Sequence, residues 1–163
     1  MLHIPFISDL HLTSDRASNP AHVSPLETLI VAVGRICFSA IFIVSGLNHL
    51  LNYSATVTYA MASGVAFPSL MVPLTGAMIL CGGLMVLLGL WARLGAVLLI
   101  LFLVPTTLIV HRFWGLADPA MVANQMAHFM KNVGLLGGAL LVLYYGPGPL
   151  SLDRDTDPGH PEL

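Results

Sequence analysis

Apolar residues run through this chain in long blocks, not in alternation. Between residues 28 and 51 the polar breaks, small hydroxyl residues aside, are Arg35 and the Asn48-His49 pair. Residues 70–90 carry no charge, and residues 94–111 and 125–145 are nearly as apolar. A half-buried strand would alternate with a period of two, and no such period is present. At ~1.5 Å per residue each block is long enough, as a helix, to cross a hydrocarbon layer of ~30 Å. The pattern predicts four transmembrane helices over about 28–51, 70–90, 94–111 and 125–145. The predicted fold is an all-α, integral membrane four-helix bundle with both termini on the same side.

Boundary signals agree with the blocks. Ser24-Pro25-Leu26-Glu27 is a helix start, with Ser24 to cap, Pro25 at the first helical position and Glu27 to complete a capping box. Gly146-Pro147-Gly148-Pro149 stops the last span. Pro105 is expected to kink the third span, with Thr106 and Thr107 available for freed carbonyls. The first loop, residues 52–68, has room for a short interfacial helix near 55–63, and its Tyr53, Tyr59 and Phe67 suit the headgroup layer. Trp91-Ala92-Arg93 reads as a tight surface turn, and residues 115–123 as the third loop. Gly76, Gly82, Gly83 and Gly89 in the second span, and Gly134-x-x-x-Gly138 in the fourth, predict close helix contacts. The organisation is thus a polar amino-terminal tail (1–24), the membrane domain (25–146) and an acidic tail (147–163) holding Asp153, Asp155, Asp157 and Glu162.

Composition narrows the class further. Of the 163 residues 56% are hydrophobic and only 9% charged, against about 25% charged in an ordinary soluble domain. Too few charges remain to cover a surface in water. A net charge of −2 with no basic run gives nucleic acid nothing to hold. Lipid is the expected surrounding, with other membrane subunits expected along the Gly-rich faces and the amino-terminal tail. That tail does not read as a secretory signal, because it lacks a basic start and a continuous apolar core. Its Asp9-Leu10-His11 resembles the opening of metallophosphoesterases, but no β-sandwich follows to complete such a site. Arg16, Arg93, Arg154 and Arg35 gather on the side of the termini, and Arg112 and Lys131 on the other. The positive-inside rule therefore places the termini in the cytoplasm, with a bacterial inner membrane as the expected location.

The topology brings polar residues together on the side opposite the termini. Asn48 and His49 end the first span there, and His111 and Arg112 end the third. Gln125, His128, Lys131 and Asn132 open the fourth. Gln125, His128 and Asn132 lie at i, i+3 and i+7, on one helix face. Three readings stay open. One is an interfacial belt, with His and Asn at the headgroups and Arg112 and Lys131 snorkelling. A second is a quinone or anion site built from His49, His111, Arg112, His128 and Lys131, where a His takes the proton released by a quinol. The third is metal or haem ligation by the His residues. The adjacent cations and the lack of a CxxCH sequence weigh against it, and no metal or haem set is assigned. Cys37 and Cys81 lie at similar depth; a buried Cys commonly packs as a small hydrophobe, and a redox pair is the alternative. Arg35 is expected to snorkel, or to pair with Glu27 or the acidic tail, in a structural role.

From Gly34 to Asp153 the chain resembles the DoxX/DoxD family of small four-helix membrane proteins. The residues that carry the resemblance are Arg35, Ser45-Gly46-Leu47-Asn48-His49, Gly82-Gly83, Gly89, Arg93, His111-Arg112-Phe113-Trp114, Gln125 to Asn132, Gly146-Pro147-Gly148 and Ser151-Leu152-Asp153. The resemblance implies a membrane subunit of a quinone-linked redox complex, some relatives serving thiosulfate:quinone oxidoreductases. Others look like accessory partners of redox or stress-response enzymes, so a non-catalytic assembly role is the alternative. Two departures stand out. Many relatives carry Glu where this chain has Ile79, and Lys where it has His49.

Overall fold

The structure is a computed structural model that describes residues 24–153. The expectations for Asp9-Leu10-His11, Arg16, Arg154 and the tail as a docking segment lie outside the described residues. Within them are five helices: α1 (Pro25–Leu51), α2 (Tyr53–Ala62), α3 (Pro68–Leu88), α4 (Ala92–Ile109) and α5 (Pro119–Tyr145). All but α2 are long and apolar enough to cross a membrane.

Side-chain caps start α1 and α5. The capping box of α1 is formed: Glu27 N donates to Ser24 Oγ at 3.2 Å and Ser24 N to Glu27 Oε2 at 2.9 Å. The interfacial segment is a full helix, α2, closed by Gly64 at φ +84°. The fourth span begins well before the expected Gln125. Asp118 caps it by accepting from Ala120 N at 3.0 Å, and Pro119 occupies the first turn. Residues 119–123 are therefore helix, not loop; hydropathy put the start late because the first turns of α5 stand outside the apolar block.

α3 is the hub of the bundle, packed by α1, α2 and α4, while α5 packs on α4. Glycines set how near the helices come. A Cβ on Gly46 of α1 would lie 2.8 Å from the Gly76 carbonyl oxygen of α3, and one on Gly95 of α4 would lie 2.8 Å from that of Gly82. Dispersion between backbones, not expulsion of water, favours such contacts in lipid. Around them Phe42, Ile79, Val86, Leu99 and Leu103 form the core. Ile79 is 0% exposed, so an apolar side chain fills the site where relatives were expected to carry Glu. In the fourth span, Gly138 receives the Phe38 ring, whereas a Cβ on Gly134 would meet nothing within 4 Å. Only one glycine of that pair serves contact within the bundle. Cys37 and Cys81 are free and exposed, so the expectation of buried cysteines is corrected: both side chains point out of the bundle.

Two backbone problems are solved across elements. Pro73 lies inside α3 and has no N–H for the Ser69 carbonyl. The Tyr53 hydroxyl takes that carbonyl at 3.0 Å, which fastens α2 to α3. In α4 the carbonyl that Pro105 leaves free is that of Leu101, four residues earlier, and Thr107 does not serve it as expected: its Oγ1 donates to Leu103 O at 2.6 Å. At the end of the bundle formed by the 89–91 turn, residues 146–153 make a strap. Leu152 N donates to Leu88 O and Asp153 N to Gly89 O, both at 3.1 Å. The Asp153 carboxylate accepts from Trp91 N–H, and Trp91 holds a left-handed φ of +49°. Arg35 reaches up from α1 and donates to the carbonyls of Pro147 (3.0 Å) and Leu150 (2.8 Å). Arg35 is thus a structural clamp on the strap.

Candidate functional site

α1 and α5 meet where Phe38 enters the Gly138 niche, but they do not pack closely along the rest of their length. The space left between them, towards the α2 end, is a cavity of about 160 Å³. Each wall follows from helical spacing. α1 supplies Ser45 and His49, one turn apart, and α4 with its C-cap residue supplies Phe102, Thr106 and Val110 at successive i+4 steps. α5 supplies Lys131, Asn132 and Leu135, and Tyr59 and Ala60 of α2 close the end. His111, just past α4, completes the rim.

His49, His111 and Lys131, three of the five residues expected to form a site, line this one cavity. His128 joins them indirectly, its ring stacked on His111 with centroids 5.0 Å apart and planes at 19°. Arg112 is exposed and is not among the lining residues. It follows His111 in the segment past α4, where its side chain is exposed. Phe113 and Trp114 beside it join Phe129 in an aromatic cluster with centroids 5.4 to 6.0 Å apart.

Hydrogen bonds order the rim. His111 Nδ1 donates to Gln125 Oε1 at 3.0 Å, and Gln125 Nε2 donates to the Tyr59 hydroxyl at 3.4 Å. Burial pushes the His111 pKa below the ordinary imidazole value. The bond to Gln125 works against that, and the charges of His128 and Lys131 push it further down. His111 is therefore a neutral imidazole at pH 7. Among the described residues no Asp or Glu lines the cavity, so Lys131 gives it a positive mouth. Deeper in, the His49 ring lies edge-on to Phe102 at 6.1 Å, and its Nδ1 is buried without a partner. Asn132 is only 5% exposed and makes no hydrogen bond among the described residues. Among those residues no three His, Cys, Asp or Glu side chains converge as a metal would require.

Sequence reasoning put Asn132 on the same face as Gln125 and His128 but did not single it out as a site residue. Tyr59, Thr106 and Ser45 were not placed at the site at all. The spacing of Ser45 to His49 and of Thr106 to Val110 was a usable signal. Tyr59 was not legible in this way, because the path of α2 back beneath the cavity is a tertiary matter.

Comparison with known proteins gives the family. The DoxX sequence profile matches residues 30–112. Inner membrane protein YphA of Escherichia coli (strain K12) is 32% identical over 126 residues, covering 77% of this chain and 89% of that protein. Inner membrane protein YqjF of the same organism is 35% identical over 129 residues, covering 79% and 93%. No solved structure matches significantly. With four spans, these matched residues and relatives aligned along most of its length, this chain is a membrane protein that belongs to the DoxX family.

Proposed function

We propose that this chain is the quinone-binding membrane subunit of a redox complex, with the quinone head group in the cavity between α1, α4 and α5. One observation carries the reading: a recess holding two imidazoles, an amide and an ammonium in an otherwise apolar bundle. Polar groups at membrane depth are costly and are retained where they are used. Ile41, Phe42, Phe102, Leu103 and Leu135 supply apolar walls for a ring. A lipophilic ligand would enter sideways from the bilayer between α1 and α5. Reduction of a quinone consumes two electrons and two protons. Neutral His111, bonded through Gln125 to Tyr59, is placed to pass a proton, and Lys131 to steady negative charge on a quinone oxygen. The electrons must come from a flavin, haem or metal carrier on a partner subunit. The family resemblance favours a small sulfur compound as the ultimate reductant. By the positive-inside rule the strap end lies in the cytoplasm of an inner membrane, which puts the cavity near the opposite leaflet.

The test is to purify the chain from its own membranes and quantify co-extracted quinone. Lys131→Met and His111→Phe should each lower occupancy about tenfold, roughly the worth of one net hydrogen bond. Occupancy equal to wild type in both variants refutes the site.

A second reading, a non-catalytic assembly subunit, is favoured by the bundle's open flanks. Leu29, Ile30, Val33, Ile36 and Val44 on α1, and Met130, Val133, Leu140, Leu141 and Tyr144 on α5, are exposed. Native mass measurement of the complex in its membrane separates the two. An assembly subunit retains its partners, and their activity, in Lys131→Met and His111→Phe.

A further inference from the structure

We propose that the deep wall of the cavity, Ser45 with Thr106 and Asn132, binds oxygen substituents on the ring, and so selects a benzoquinone that bears alkoxy groups over a naphthoquinone. The proposal rests on the quinone reading above.

Helical spacing sets these three residues at one depth. Ser45 lies one turn inward of His49, Thr106 one turn inward of Val110, and Asn132 one turn inward of His128. They come from α1, α4 and α5 and line the same cavity. Elsewhere on the helices, hydroxyls turn to the backbone. Those of Thr56, Thr58, Ser63, Thr75 and Thr107 each donate to the carbonyl four residues back. The hydroxyls of Ser45 and Thr106 do not; among the described residues neither has a hydrogen bond. Asn132 makes none either, although it is only 5% exposed.

These groups are also open. Among the described residues the buried polar side-chain atoms sealed off without a partner are Arg35 Nε, Ser39 Oγ and His49 Nδ1. The Ser45 and Thr106 hydroxyls and the Asn132 amide lack a bond yet keep accessible surface. A hydroxyl and a primary amide each bring a donor. Buried polar groups are bonded in nearly all proteins, so open donors from three helices around one recess mark what it receives.

The tail of a lipid quinone stays in the bilayer. A head group entering between α1 and α5 therefore leads with the ring edge opposite its tail. In a dialkoxybenzoquinone that edge carries two ether oxygens between the carbonyls, all acceptors. In a naphthoquinone it is a hydrocarbon ring, which would cover the same donors and leave them unpaired. A single buried hydrogen bond made or lost corresponds to about tenfold in affinity.

The experiment measures binding of decylubiquinone, decylplastoquinone and the menadione derivative with the same decyl tail to the full-length chain in lipid nanodiscs. Decylplastoquinone keeps the single ring and replaces the alkoxy groups with methyls, so it separates the effect of ring oxygens from that of ring count. Wild type should bind decylubiquinone about tenfold more tightly than either of the others. Ser45→Ala and Thr106→Val break no hydrogen bond within the bundle and should each lower that preference. Asn132→Leu should bring decylubiquinone down to the affinity of decylplastoquinone. A wild type that binds decylubiquinone no more tightly than decylplastoquinone, or a preference that survives all three substitutions, overturns the proposal and leaves the quinone site standing. Failure of all three quinones to bind wild type overturns both.

Discussion

Replacing Arg35 with Gln tests how the strap is held. The guanidinium spans two carbonyls on the strap, Pro147 O at 3.0 Å and Leu150 O at 2.8 Å. A hydrogen bond from a charged donor contributes about 1.5–3 kcal/mol net. The Leu150 bond is solvent-exposed, so about half of that applies to it, and Arg35→Gln should cost about 2–4.5 kcal/mol. Arg35→Lys puts one ammonium where a planar fork bridged two acceptors, and should recover only about half of the loss. Equilibrium unfolding in mixed micelles measures the totals. Limited proteolysis should show residues 147–153 cut faster in Arg35→Gln, since the strap opens before the bundle does. Deleting residues 147–163 removes both acceptors, so in that background Arg35→Gln should cost under about 0.5 kcal/mol, a double-mutant cycle isolating the clamp. The reasoning fails if Arg35→Gln unfolds like wild type, or if its cost is the same with and without the strap.

Three further outcomes follow from the geometry. Tyr53→Phe should destabilise by about 1 kcal/mol by orphaning the Ser69 carbonyl; Pro73→Ala restores a backbone N–H for that carbonyl, and unfolding of the double variant should show the Tyr53 loss shrinking. The two groups of helix glycines should part company. Gly46→Val and Gly76→Val push a side chain to within 2.8 Å of the neighbouring helix and should each cost above about 2 kcal/mol. Gly134→Ala and Gly137→Ala meet nothing within 4 Å and should be neutral or stabilising by up to about 1 kcal/mol in the same unfolding assay. The last concerns pH. His111 has a folded pKa below its unfolded one, so the unfolded state binds more protons. Its contribution to stability is fully present above the unfolded value, ~6.5, and is lost as pH falls through the folded pKa. The thermal midpoint should therefore drop between about pH 7 and pH 5. His111→Gln should flatten that drop, and a slope unchanged by the substitution would discount the assigned cause.

The number, length and order of the spans were legible because they are local properties. A hydrocarbon layer demands about 20 apolar residues per crossing, and the blocks around Arg35, Gly83, Leu99 and Leu136 meet that demand without reference to one another. Helix starts at Ser24 and Asp118 are local too, although hydropathy hid the second. Rough membrane depth also follows from the hairpin order, which is why His49, His111, His128 and Lys131 could be grouped in advance. Azimuth and neighbourhood could not. Whether a residue at a given depth faces a cavity, a helix or lipid depends on which helices adjoin, and that is settled by contacts far apart in the chain, such as Gly46 on Gly76 and Phe38 on Gly138. Those contacts sent Arg112 to the surface, turned Asn132 inward, folded Tyr59 beneath the recess and gave Arg35 its carbonyls on the strap.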